Sequence, residues 1–319
     1  MSRPVSVVLP ALDSLALFER HLPPLLEELA RRAVGDEVLV VDDTGRDVLA
    51  EPLARRFPAV RVLAREANGG FARALKSGVE AARHELVFSM NTDVHVRPGF
   101  LAPLVSCLEA PDVAAVAPRV LLGGSEDRVE SLVELAFEDG MPSVVQPLLS
   151  EAEQRTLERT PVAFAVGGTV LFRKREFLAR GGFDPLYEPF YWEDVDLGFE
   201  IWSRGGRVLL EPASVVEHHH RGTIGKLVSE EIFRAAIERN RLLFAWKFLD
   251  DPELLAEHVA ALLRSALDAW IRDERAELLW LVLALERLDA ALAARKRRRR
   301  AALSFREVLE RSRPELGEG

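Results

Sequence analysis

Four short aliphatic runs, each followed by a stretch with helical spacing, fill the first third of the chain and restrict it to a layered α/β fold. "VSVVL" (5–9) precedes a pattern of Leu15, Phe18, Leu22, Leu25, Leu26 and Leu29. "EVLVV" (37–41) precedes "RDVLAEPLARRF", and "VRVLA" (60–64) precedes "FARALKSGVEAAR". "ELVFSM" (85–90) then leads through a polar loop into a helix near 99–109. Such alternation predicts a mainly parallel sheet covered by helices. Ligands of these sheets sit at the carboxyl ends of the strands. Those ends carry Pro10, Asp42, Asp43, Asn91 and Asp93.

The segment 112–165 is less regular and reads as short strands, a loop and a helix around 150–158. Order resumes with "GGTVLFRKREFLARGGF", a strand and a short helix closed by glycines. "YWEDVDLGFEIWSRGG" reads as a further helix, and "RVLLEPASVVEHHH" as two short strands. From 226 the chain turns Leu-, Ala-, Arg- and Glu-rich with helical spacing, and holds the basic run Arg295 to Arg300. Two regions are therefore expected, an α/β domain over 1–225 and a helical extension over 226–319. A chain of 319 residues has ample length for a sizeable core.

A formal charge of -9 argues against a general nucleic-acid binder, which needs a net basic surface. A lone cysteine, Cys107, excludes an intramolecular disulfide and fits a reducing compartment. The opening "MSRPVSVVLPALD" lacks a long apolar core ending in small residues, so no secretory signal is read. The most apolar run, "LLWLVLAL" (278–285), is far shorter than the ~20 residues that span a bilayer. The expected location is cytoplasmic, with peripheral contact at the inner face of the cell membrane. Clustered Arg and Lys at 295–300 would attract anionic lipid, and a solvated helical face is the plainer alternative.

Several short motifs carry chemistry. In "VVDDTG" (40–45) two acids at a strand end can accept hydrogen bonds from a base or ribose, or can simply shape a turn. "NGGFARALKSG" (68–78) opens a helix with two glycines, an arrangement that favours an anion at the helix N-terminus. Arg73 and Lys76 share a face of that helix and could meet a diphosphate. In "FSMNTDVHVRPGF" (88–100), Asp93 can anchor a hard divalent cation such as Mg²⁺ or Mn²⁺, if a substrate phosphate supplies further oxygens. Asn91 stands where a second acid would complete a pair. In "YWEDVDLGFE", Glu193, Asp194 and Asp196 start a helix whose dipole should keep them ionised, and Tyr191 and Trp192 beside them suit packing on a sugar ring. "EHHHRGT" (217–223) places His218 and His220 on one side of a strand and His219 on the other. It lacks the spacing of a known zinc site.

In this order the motifs resemble those of a family 2 glycosyltransferase with the GT-A nucleotide-sugar-binding fold, and most of all the rhamnosyltransferase-like branch. The resemblance covers about 1–250 and rests on the stretches quoted above together with "FDPLY" and "ERNRLLFAWKFL". It implies a nucleotide-sugar site made by Pro10, Asp13, Asp42, Asp43, Asn68, Arg73, Lys76, Asn91, Thr92, Asp93 and Trp192. It implies Asp93 and His218 as ligands of Mg²⁺ or Mn²⁺, and Asp194 as catalytic base with Glu193 beside it. The implied reaction is an inverting transfer from a dTDP-, UDP- or GDP-linked sugar to a hydroxyl of a glycan or lipid-linked acceptor in cell-surface polysaccharide synthesis. A homodimer is among the expected partners, and nucleic acid is not. Ala11, Leu12 and Asp13 depart from the family's Thr-Tyr-Asn, Lys76 stands where Asn is usual, and Asn91 replaces an acid. These departures keep open a non-catalytic binding or assembly protein of the same fold. No Q-x-x-R-W motif of a processive synthase is present.

Overall fold

The computed structural model describes residues 3–12, 14–123, 125–219, 229–298 and 301–316, leaving aside the side chains of 125–127, 275 and 276. Asp13, His220, Arg299 and Arg300, all singled out from the sequence, lie outside the described residues.

Strands β1 (Val5–Ala11), β2 (Glu37–Asp42), β3 (Val60–Ala64) and β4 (Leu86–Met90) form where the aliphatic runs predict them. Helices α1 (Leu15–Arg32), α2 (Ala50–Arg56) and α3 (Gly70–Ala81) connect them. All three pairings are parallel, in the order β3-β2-β1-β4. Two crossovers wind the chain outward from β1, and the third carries it back to the other side. This reversal opens a crevice at the carboxyl ends of β1 and β4.

Next come β5 (Val94–Val96), α4 (Leu101–Cys107), β6 (Val113–Leu122) and β7 (Ser125–Val129). A separate hairpin of β8 (Glu134–Glu138) and β9 (Met141–Val145) precedes α5 (Glu151–Thr156). Then follow β10 (Thr160–Pro161), β11 (Thr169–Arg173), α6 (Lys174–Ala179), α7 (Glu193–Ser203) and β12 (Arg207–His218). The main sheet extends past β4 as β11-β6-β12-β10, with β11 antiparallel to both neighbours and β6 parallel to β12. Where two strands were expected over 207–218, there is one. Pro212 cannot donate to a ladder, and the chain absorbs it in a register shift between Glu211 and Val215 rather than by ending the strand.

The remaining chain is helical, as expected: α8 (Glu230–Phe248), α9 (Pro252–Ile271), α10 (Leu279–Leu285), α11 (Leu288–Arg297) and α12 (Phe305–Arg311). It shares a core with the α/β part. Phe199 of α7 meets Phe244 and Phe248 of α8 and Phe305 of α12 at ring-centroid distances of 4.5–5.3 Å. Tilted and edge-on pairs of this kind are favourable beyond their buried area.

The basic run is not a uniformly exposed face. Arg295 donates to the carbonyls of Trp246 and Leu249, filling orphan acceptors at the end of α8. Arg298 lies 4.4 Å over the Phe248 ring and 3.4 Å from Glu200. Of the described residues of the run, Lys296 and Arg297 are exposed.

Helix α3 seats on the sheet through Gly78. A Cβ there would overlap Val8 and stand 2.7 Å from Val41 Cγ2, both in the sheet core. Gly78→Ala should therefore lower unfolding free energy by about 1–3 kcal/mol, through overpacking against two buried valines. Urea denaturation followed by circular dichroism checks this.

Candidate active site

The sequence "DPLYEPFYWED" enters α7 through an unusual backbone. Tyr191 (φ 66°) and Trp192 (φ 75°) both occupy the left-handed region, which costs a non-glycine residue on the order of 1–3 kcal/mol. Helix α8 holds them there. The buried Asn240 amide donates to the carbonyls of Tyr187, Phe190 and Tyr191 at 2.7–2.9 Å. Arg239 donates to the Glu188 carbonyl at 2.7 Å, and Arg287 reaches the same carbonyl and that of Leu186.

Three acids follow in the first turn of α7. Asp196 is buried, accepting from the Tyr187 hydroxyl at 2.7 Å and from Lys247 at 2.6 Å, and Lys247 also bonds Asp184. It ties α7 to α8. Asp194 points the other way and accepts from the backbone N–H of Gly167 at 3.2 Å and of Val195 at 2.9 Å. Glu193 has a buried Oε2 with no hydrogen-bond partner among the described residues.

Burial opposes the helix dipole that was expected to keep these carboxylates ionised, and at Glu193 it prevails at neutral pH. Burial lifts Asp194 to about 6, against the pull of its backbone donors. Glu193 is lifted to about 8 by burial and then by the neighbouring Asp194 charge. The two titrate as a pair. Asp194 ionises first, since more backbone donors are aimed at it than at Glu193.

The carboxyl end of β4 lies against this turn. Asn91 N–H donates to the Gly168 carbonyl at 2.8 Å, and its side chain fills the space a Cβ on Gly168 would take. Gly168 and Gly167 thus connect Asn91 to Asp194. Further along, His218 Nε2 is 3.2 Å from Asp93 Oδ1 and its Nδ1 is 2.7 Å from Glu130 Oε2. Burial pulls this imidazole down, but hydrogen bonds to the two carboxylates prevail and lift it to about 9. The Glu130 charge also helps raise Asp194 and Tyr191, so the His218 cluster and the α7 carboxylates share one electrostatic site.

Asp93 and His218 could hold a divalent cation through one carboxylate oxygen and one imidazole nitrogen only if the cation displaces the proton the imidazole carries below about 9, the other ring nitrogen then staying on Glu130. Among the described residues no three His, Cys, Asp or Glu side chains could hold a metal ion by themselves. Any cation here needs oxygens from a ligand.

Other expected site residues have protein partners. Asp42 is fully buried and holds the β2–α2 loop, accepting from Thr44 and from Leu49 N–H. Asp43 accepts from the N–H groups of Gly69 and Gly70 and pairs with Arg65. The α3 N-terminus, expected to bind a diphosphate, thus meets the carboxylate of Asp43, the residue that follows β2. Arg73 makes a two-pronged pair with Glu188 at 2.6 Å. Asn68 is exposed, while Pro10, Lys76 and Thr92 are half-buried.

Trp192, expected at the nucleotide-sugar site, is a core residue in this fold. It is 6% exposed and packs on Phe244 at 5.2 Å, because the left-handed turn directs it into the core. Tyr191 is the exposed aromatic, grouped with Phe190 and Phe233 at 5.5–5.7 Å. Sequence reasoning missed Glu130, Gly167, Gly168, Arg239 and Asn240. The Gly-Gly pair before β11 and the Arg-Asn pair inside an apolar helix were legible signals. Glu130 had none.

The family model described as glycosyl transferase family 2 matches residues 6–178. The pre-mycofactocin glycosyltransferase of Mycobacterium tuberculosis is 27% identical over 232 residues, covering 72% of this chain and 46% of that protein. Mouse polypeptide N-acetylgalactosaminyltransferase 5 is 25% identical over 260 residues, covering 76% and 27%. The chain thus spans less than half the length of these curated relatives. Among solved structures, GalNAc-T7 with UDP, GalNAc and Mn²⁺ superposes with a TM-score of 0.62 at 20% identity, covering 78% of this chain and 48% of that one. The mannosyltransferase PcManGT of Pyrobaculum calidifontis, with GDP-Man and Mn²⁺, gives 0.53 at 18% identity, covering 93% and 87%. Both share this fold.

Replacing Asn240 by Ala would leave three carbonyls short of a buried donor and release the strained turn. Unfolding free energy should fall by about 1–3 kcal/mol, and limited proteolysis should begin within 187–192. A variant as resistant as the wild type would show the grip to be dispensable.

Proposed function

The chain belongs to glycosyl transferase family 2, and we propose that it catalyses an inverting transfer from a nucleoside-diphosphate sugar to an acceptor hydroxyl. One observation carries this reading. A buried carboxylate, Asp194, has its pKa raised to about 6, in part by the charge of Glu130, the same carboxylate that bonds His218. A base in that range is ionised at neutral pH and still accepts a proton readily.

In the proposed reaction the acceptor oxygen attacks the anomeric carbon from the face opposite the diphosphate, and its proton passes to Asp194. The bond from the anomeric carbon to the phosphate oxygen breaks, and the nucleoside diphosphate leaves. Charge develops as in inverting glycoside cleavage, with an oxocarbenium-like ring. Gly167 and Val195 N–H groups hold the Asp194 carboxylate, and Tyr191 with Phe233 offers an apolar wall for the acceptor. Asp93 and His218 would hold a divalent cation, with Glu130 orienting the imidazole. When bound, that cation would offset the charge growing on the leaving diphosphate. The Mn²⁺ and nucleotide sugars of the two structural neighbours support this choice of ligand. We extend the proposal to a glycan or lipid-linked acceptor in cell-surface polysaccharide synthesis. No helix of the described residues is long and apolar enough to cross a membrane.

A thermal-shift panel of UDP-, GDP- and dTDP-sugars with Mn²⁺ identifies the donor, because a ligand of the folded state raises its melting temperature. With that donor, Asp194→Asn should reduce turnover by about 10²- to 10⁴-fold while leaving donor affinity near wild type. Normal turnover in that variant would remove Asp194 as the base.

The pH profile separates the two acids. Activity should rise through an apparent pKa near 6 as Asp194 ionises. Glu193→Gln should leave that limb in place and abolish the second ionisation near 8, because Glu193 is still protonated when Asp194 loses its proton. Loss of the limb near 6 in Glu193→Gln would reverse the two roles.

A further inference from the structure

Among the described residues, helix α9 presents an apolar face that no other element covers. Its inner side rests on the β8–β9 turn, where His258 bonds the Gly140 carbonyl at 2.7 Å and Glu257 accepts from Gly140 N–H. On the outer side Leu255, Val259, Leu263, Leu267, Trp270 and Ile271 are 46–73% exposed. At about 100° per residue only alanines (Ala256, Ala260 and Ala266) lie between them on that face. The charged residues Glu253, Glu257, Arg264 and Asp268 are confined to one edge. A helix apolar on both its inner and its outer side is one that belongs inside a bundle.

We propose that a second copy of this chain covers α9, through a two-fold axis passing near Leu263. Three observations favour that occupant. The edge beside the apolar face is mostly acidic, whereas a helix that lies on a bilayer carries Lys and Arg there. The exposed row Leu255, Val259, Leu263, Leu267 and Ile271 repeats every four residues about Leu263. It is therefore self-complementary under two-fold symmetry: Leu263 meets its own copy, Val259 meets Leu267, and Leu255 meets Ile271. The bare apolar area is on the order of several hundred Å², larger than a monomer usually leaves without function, and it approaches the roughly 800 Å² per partner of a stable pair.

Sedimentation velocity and cross-linking test this on the full chain. The wild type should sediment as a dimer in the micromolar range, and Leu263→Glu as a monomer with an unchanged unfolding midpoint. Cys107 is buried, so Leu263→Cys introduces an accessible thiol and should yield a disulfide-linked dimer on mild oxidation that the wild type does not form. A wild type that stays monomeric, or a dimer that persists in Leu263→Glu, overturns the proposal. So does flotation of the wild type with anionic vesicles that Leu263→Glu abolishes, which would make lipid the occupant.

Discussion

The Asn240 side chain, buried inside α8, holds the carbonyls of Tyr187, Phe190 and Tyr191 in the turn that precedes α7. Without those bonds, nothing in the local sequence would keep Tyr191 and Trp192 at positive φ. The consequences run outward from there. The turn sends Trp192 into the core against Phe244, leaves Tyr191 at the surface, and aims the first turn of α7 so that Asp194 meets Gly167 while Asp196 meets Lys247. Adjacent acids acquire different environments because a helical turn directs their side chains to different sides.

Electrostatics at this site depend on burial more than on the helix dipole. Surface acids at a helix start gain a few tenths of a kcal/mol to about 1 kcal/mol from the dipole. Removal from water acts in the opposite sense and is larger here, which is why Glu193 and Asp194 both move upward. The His218 imidazole moves upward for another reason, since carboxylates flank both of its nitrogens.

The helical region from α8 onward is part of this construction. Its aromatic residues complete the core around Phe199, and its polar residues Arg239, Asn240 and Lys247 reach back to the loop and to α7. Arg295 and Arg298, prominent in sequence as members of a basic run, are consumed by carbonyls and an aromatic face near the end of α8. Local charge density alone could not distinguish them from the exposed Lys296 and Arg297.

Periodicity by itself determined the strands β1 to β4, their connecting helices and the mainly parallel sheet, with its ligand side at the strands' carboxyl ends, whereas the strand order came from the tertiary structure. Short-range chemistry at 5–100 has few ways to be satisfied, so its pattern maps directly onto structure. The resemblance of the ordered motifs then directed attention to Asp93 and His218, which lie 3.2 Å apart, and to Asp194, which feels the charge of the Glu130 that bonds His218. What required tertiary structure was the fate of each polar group. Asp43 fills the α3 N-terminus that an anion was expected to occupy, Trp192 turns inward, and Glu130 crosses from the irregular middle to His218. Hydrogen-bond partners separated by 26 to 88 residues leave no periodic trace in a sequence. The pairing is decided only when the sheet brings the strand ends together.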